Sequence, residues 1–281
     1  MLGWLFLLAL LAALTGLIVY RWAYGRKQPG YLAFTEYWVY GAGTQLPPQD
    51  KLMDRMISSN PHNRRGQPCI GAREGMLFTD IRLHMAVVLR EKNATLFRPD
   101  LFAAEVAPTA EILKALPDAK ALVKVRYASE APLKDFRHLQ FLPHLTDSVA
   151  EMMDGTVVFD TVAERLWLAA EFREMLAKNG QCERPEFHVR ARWVNQDDEC
   201  YARTHGMPKI GWPELRTDPQ EQDNEVLVTG LLMRLAFHLF RRPEETGPWE
   251  FEEFGDTFIF ELQPRQDELR VVSLKRRQVV G

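Results

Sequence analysis

Residues 187–205 read FHVRARWVNQDDECYARTH, and the alternation on either side of NQDD decides the fold class. Phe187, Val189, Ala191 and Trp193 alternate with His188, Arg190 and Arg192, and Cys200, Ala202 and Thr204 alternate with Tyr201, Arg203 and His205. A period of two belongs to strands, whose side chains point to opposite faces in turn. With Asn195–Asp198 as a hairpin loop, Trp193 faces Cys200, Ala191 faces Ala202 and Val189 faces Thr204 on an apolar side. On the other side Arg192 faces Tyr201, Arg190 faces Arg203 and His188 faces His205.

The apolar side reads as core and the other as a cationic, aromatic surface. Like charges directly opposite each other destabilise a strand pair unless something compensates. Solvent screening is one compensator, a neighbouring carboxylate such as Glu186 or Glu199 a second, and an anionic partner a third. His188, Arg190, Arg192, Tyr201, Arg203 and His205 are therefore the candidate binding residues, for an acidic protein patch or an anion.

Downstream, THGMPKIGWPEL (204–215) supplies Gly206 and Pro208 to end the strand and Gly211 and Pro213 to shape the approach to the next helix. That helix, from about 224 to 240, is apolar on nearly every side, with Val226, Leu227, Leu231, Leu232, Leu235, Phe237 and Phe240, which predicts a central position. DTFIFELQ and LRVVSLKR close the chain as a hairpin turning at 264–268.

Upstream, residues 80–90 alternate as a half-buried strand, 108–116 read as a short helix that Pro117 stops, and 121–127 form another strand. Leu142, Leu145, Val149 and Met152 share one helical face, and Pro143 suits the first turn of that helix. TVVFD (156–160) is a strand, and Thr161 with Glu164 makes a capping box opening a helix that ends near Lys178 before Asn179 and Gly180. Several strands that are neighbours in sequence pair as hairpins. The expected fold is α+β, a mixed, mainly antiparallel sheet packed with helices over residues 76–281, with one N-terminal transmembrane helix before it. Residues 23–75, rich in Gly, Pro and Arg, read as linker and loops, with FTEYWVY (34–40) as a possible short strand.

The chain has 281 residues, 46% of them hydrophobic and 26% charged, which excludes wholesale disorder and a polytopic membrane protein. A net charge of −3 gives no general pull toward nucleic acid, so none is expected as a partner. Three cysteines, Cys69, Cys182 and Cys200, lie far apart and make no disulfide framework or zinc knuckle. Leu2–Tyr20 carries no charge, and as a helix it spans roughly 28 Å, close to the hydrocarbon thickness of a bilayer. A cleaved signal peptide would have a basic leader and a shorter apolar run. Residues 1–22 thus read as a single-pass anchor in a bacterial inner membrane. Arg21, Arg26 and Lys27 follow it, which places the C-terminal domain in the cytoplasm, with a periplasmic domain as the alternative.

The THGMPKIGWPEL stretch resembles a group of uncharacterised bacterial proteins, domains of unknown function carrying a T-H-G-[ML]-x-x-x-G-x-P-E-L turn before a buried helix. The segment RHLQFLPHLTDSVAEMMDGTVVFDTVAERLW (137–167) is similar in character. The resemblance covers roughly residues 75–275 and implies an α+β domain. It implies no established reaction.

Metal-ligand spacings are missing. Cys200 and His205 fall on opposite faces of a strand, His138 and His144 are not the helical i, i+4 pair, and HExxH is absent. There is no GxSxG or SxxK, and Cys69 reads better as a small buried hydrophobe than as a reactive thiol. The acidic run PWEFEEFGD (248–256) supplies Glu250, Glu252, Glu253 and Asp256, which the sequence alone does not separate into paired catalytic carboxylates or a solvated loop. No metal or cofactor is expected. The sequence favours a membrane-anchored binding or interaction protein over a catalyst. One alternative is an enzyme acting on an anionic substrate with His205 or His188 as base; another is a toxin-immunity or secretion-accessory protein.

Overall fold

The computed structural model describes residues 32–57, 76–102, 106–178, 182, 184–196, 198–263 and 270–278. Contacts divide the chain between Tyr31 and Leu32, and the unit from Leu32 onward carries two sheets. The apolar segment 2–20, Cys69, the 264–268 turn and the Asn179–Gly180 stop lie outside the described residues. Among the described residues no helix is long and apolar enough to cross a membrane.

The first sheet has the order β2-β3-β1-β4-β5, all neighbours antiparallel. Its centre is β1, Ala33–Gly41, which lies inside the stretch expected to be linker. The reason is burial on both faces. Tyr37 and Val39 point into a core with Leu142, Leu145, Val149 and Phe172, while Tyr40 points into a second core with Phe97, Phe102, Ile112 and Leu116. A strand covered on both sides need not alternate in polarity. A helix in the same stretch, α1 (Gln49–Ile57), buries Leu52 and Met56.

β2 (Leu83–Leu89) and β3 (Ala121–Ser129) take their expected places, joined through the short helix α2 (Ala110–Ala115). Thr109 caps α2 by accepting from Ile112 N at 3.3 Å. α3 runs Arg137–Met152, so it starts well before Pro143, which sits in its interior. An interior proline removes one helical hydrogen bond and costs about 3 kcal/mol. Burial of nearly every side of α3, from His138 through Ala150, offsets that cost.

β4 (Gly155–Asp160) leads into a turn and then β5 (Arg165–Leu168), where a helix start was expected. Asp160 rather than Thr161 organises this turn: its Oδ1 accepts from the backbone N–H of Val162 at 3.2 Å and of Ala163 at 3.0 Å. Thr161 instead donates its hydroxyl to Glu36 O at 3.1 Å. The helix, α4 (Ala169–Lys178), starts later, and Glu171 caps it by accepting from Leu168 N at 3.1 Å.

The second sheet follows a one-turn helix, α5 (Pro185–His188). Its order is β6-β7-β8-β11-β10-β9, with β6 Arg190–Gln196, β7 Glu199–His205, β8 Leu215–Thr217, β9 Trp249–Glu253, β10 Asp256–Leu262 and β11 Arg270–Gln278. Every pairing is antiparallel except β8 with β11. The acidic run at 248–256 contributes β9. The fold is thus α+β and mostly antiparallel, with six α-helices among the described residues. Its strands form two sheets rather than one.

α6 (Glu225–Arg241) covers one face of the second sheet, packing Leu231, Leu232, Leu235 and Leu239 against Ala202, Phe258, Phe260 and Val272. Val226, expected to be buried, is 86% exposed at its first turn.

The two sheets meet where the 3-10 turn Met207–Ile210 packs on β1. This turn inserts Lys209 into the protein. Its ammonium is ion-paired with Asp160, at the end of β4, and both side chains are 0% exposed. The Tyr37 ring lies 5.3 Å below the ammonium.

Candidate functional site

The outer face of the second sheet, opposite α6, gathers the arginines. The β6–β7 hairpin forms, with Gln196 facing Glu199, so two residues rather than four connect the strands. Asp198 adopts a φ of 65°, the left-handed conformation such tight hairpin turns use. β6 runs two residues further into the turn than expected while β7 starts at Glu199 as expected, and the register moves by two so that Arg190 faces His205, Arg192 faces Arg203 and Trp193 faces Ala202. The expected pairs are replaced, yet the faces survive because both partners keep their parity. Arg190, Arg192, Tyr201, Arg203 and His205 therefore do share one face.

His188 does not belong to this row. Pro185 opens a helical turn that carries His188 away from β6. The ring is 0% exposed, donates through Nε2 to Cys182 O, and stacks parallel to Phe240 at 6.4 Å. Burial, with the Lys209 charge nearby, pushes it well below the usual histidine range. It is a core histidine and neither an anion contact nor an accessible base.

Arg216 of β8 extends the row. Arg192 faces Arg203 and Arg203 faces Arg216, so three guanidinium-bearing residues lie side by side across three adjacent strands. The Arg216 guanidinium stacks 3.8 Å over the Tyr201 ring and donates to Glu199 at 2.7 Å. Tyr201 serves as its platform.

At the other end of the row the compensating group is Glu164, from the β4–β5 turn, held at a φ of 52°. Its carboxylate lies 3.3 Å from His205 Nδ1 and 3.4 Å from Arg192, and 3.9 Å from Arg190. Its backbone carbonyl accepts from Arg190 and, at 3.2 Å, from Arg192. The His205 hydrogen bond first, then the charges of His205, Arg192 and Arg203, hold this carboxyl below the usual range.

Two carboxylates, Glu164 and Glu199, thus pair with a face bearing Arg190, Arg192, Arg203 and Arg216. Among the described residues the arginines of this face outnumber the carboxylates paired with them. The Nε atoms of Arg190, Arg203 and Arg216 are buried with no hydrogen-bond partner among the described residues. A buried charged donor left unmatched costs more than an ordinary missing hydrogen bond.

Glu164 and Arg216 were not legible as site residues. Arg216 could be reached by continuing the strand register past Pro213. Glu164 arrives from a turn far away in sequence, which no local pattern announces.

The opening of β8 is tied back by Glu214. Its carboxylate accepts from Gly206 N at 2.7 Å, from the Thr204 hydroxyl at 2.8 Å and from Met207 N at 3.4 Å. Burial pushes it up to about 7, against the pull of those hydrogen bonds. Its folded value thus exceeds the unfolded one of 4.5, so the folded chain keeps a proton that the unfolded chain releases. Stability is accordingly greatest below that lower value, falls as the pH rises toward 7, and then levels off. Glu214→Gln is expected to remove this decline. Urea midpoints for variant and parent across that window check it, and parallel pH profiles would refute it.

A cavity of about 530 Å³ adjoins β6 of this sheet, and another of about 520 Å³ lies among α3, α5 and α6. Neither is lined by His205, and His205 is 8% exposed. Among the described residues no cluster of His, Cys, Asp and Glu could hold a metal ion. The arrangement is a sheet face on which, among the described residues, arginines outnumber carboxylates. No family model, curated protein or solved structure matches the chain.

Proposed function

We propose that this chain is a membrane-anchored binding protein whose second sheet recognises an acidic protein patch or an anion through its outer face. The observation that carries this reading is the register of Arg192, Arg203 and Arg216, with the Nε of the middle arginine buried and unmatched. Guanidinium groups set side by side suit carboxylates or phosphates, which accept two parallel hydrogen bonds each. Tyr201 and Glu164 orient the outer two arginines, so a ligand meets them with part of their side-chain entropy already lost. The uncharged run Leu2–Tyr20 supports the anchor, and Arg21, Arg26 and Lys27 support a cytoplasmic domain at the bacterial inner membrane. The resemblance of residues 204–215 to bacterial domains of unknown function is compatible with this role and adds no reaction.

The test uses the full chain in detergent micelles with labelled poly-L-glutamate as probe. Arg203→Glu is expected to weaken binding at least about tenfold, because it replaces an attractive contact by a repulsive one. Added salt should weaken the parent complex in the same direction. Equal affinity in the variant, with an unchanged circular dichroism spectrum, would sink the reading.

A further inference from the structure

β6 is an edge strand of the second sheet among the described residues. In an antiparallel pair the residues flanking a two-residue turn exchange both backbone hydrogen bonds, and alternate pairs along the ladder do the same. Gln196 with Glu199 is such a pair, and so are Val194 with Tyr201, Arg192 with Arg203 and Arg190 with His205. The backbone N–H and C=O of Ala191, Trp193 and Asn195 therefore point away from β7. They form an unpaired ladder, the feature that templates strand addition.

Beside this ladder runs a groove. Ala191, Arg192 and Trp193 of β6 and Glu225, Val226 and Thr229 of α6 line a cavity of about 530 Å³. Val226 is 86% exposed there, and the Thr229 hydroxyl is buried without a hydrogen-bond partner among the described residues. The Trp193 indole is held in place by donating to Gln222 at 3.1 Å. Two sides of β6 thus offer different chemistry at the same edge. The inner side is apolar, with Glu225 at its rim to repel acids. The outer side carries Arg190 and Arg192.

We propose that the open edge of β6 takes up an extended partner segment as an added strand, with acidic residues at alternate positions beside Arg190 and Arg192 and apolar residues between them facing Trp193 and Val226. This deepens the arginine-face reading and rests on it. Backbone pairing supplies affinity and the alternation supplies specificity, the two parts of strand-addition recognition. Glu225 fixes which set of side chains turns inward, since an acid placed there would meet a like charge.

The experiment measures fluorescence anisotropy of a labelled nine-residue peptide alternating glutamate and valine, with the full chain in detergent micelles. A peptide of the same composition with its glutamates in one block should bind at least about tenfold more weakly. Methylating one of the two alternate sets of peptide amides should abolish binding, and methylating the other should not, because only one set faces β6. Ala191→Pro removes an outward N–H from an edge strand, a place that tolerates proline, and should cost the peptide complex while leaving poly-L-glutamate bound. Both methylated peptides binding like the parent would overturn strand addition even if Ala191→Pro failed to fold. Should poly-L-glutamate still bind in that case, the arginine-face reading stands without it. If Arg203→Glu leaves poly-L-glutamate binding unchanged, that reading fails first.

Discussion

Replacing Asp160 by alanine is expected to destabilise the fold by about 3–5 kcal/mol, the loss typical of breaking a buried ion pair from one side. Asp160 holds Lys209 where neither side chain is exposed. Without it the ammonium faces the Tyr37 ring at 5.3 Å and has lost its ion-pair carboxylate. Burial already lowers the Lys209 value, so in the variant the amine sheds its proton, and this release limits the loss. Asp160 also accepts from the N–H groups of Val162 and Ala163, so alanine frees two backbone donors in the turn that presents Glu164. Lys209→Met beside Asp160→Ala should recover part of the stability, because a well-packed apolar pair can replace a buried ionic one. Urea denaturation of the parent, single and double variants checks both statements. A change below about 1 kcal/mol in the single variant would be at odds with a pair this deeply buried.

Gly206→Ala should be comparably damaging, by about 3 kcal/mol or more. Gly206 has a φ of 121°, which side-chain-bearing residues rarely adopt, and such strain alone costs of order 1–3 kcal/mol. A Cβ there would also stand 2.1 Å from the backbone oxygen of His188, with no flexible side chain to give way. The chain would have to shift between β7 and the Met207–Ile210 turn. That shift pulls His205 from Glu164 and Lys209 from Asp160. Thermal unfolding reads the loss, and a variant melting within a few degrees of the parent would contradict it.

The hairpin at 187–205 was legible because strand alternation is a local signal, and its faces survived an error of register because parity did. The turn was not legible in detail: four polar residues give no indication that only two lie outside the ladder. His188 fell to the same limit, since Pro185 starts a helical turn that continues through it. β1 was legible as the short strand FTEYWVY, but not its place at the centre of a sheet, for a strand packed on both faces shows neither period two nor a polar side. At Thr161 the sequence offers a capping box, but tertiary contact with β1 through Glu36 O engages its hydroxyl and Asp160 turns the chain instead. Lys209 reads as an ordinary surface lysine in sequence. Only the docking of two sheets makes it a core residue.

The three-residue strand β8 is the sole bridge between the β6–β7 hairpin and the β9–β10–β11 meander among the described residues, and it pairs with Arg270, Val271 and Val272 near the end of the chain. During synthesis the arginine-bearing hairpin therefore leaves the ribosome long before the strands that complete its sheet. Until Arg270–Gln278 emerges, β8 has a free edge beside a cationic face, next to the polyanionic ribosome. β11 is thus the strand whose pairing with β8 joins that hairpin to the rest of its sheet.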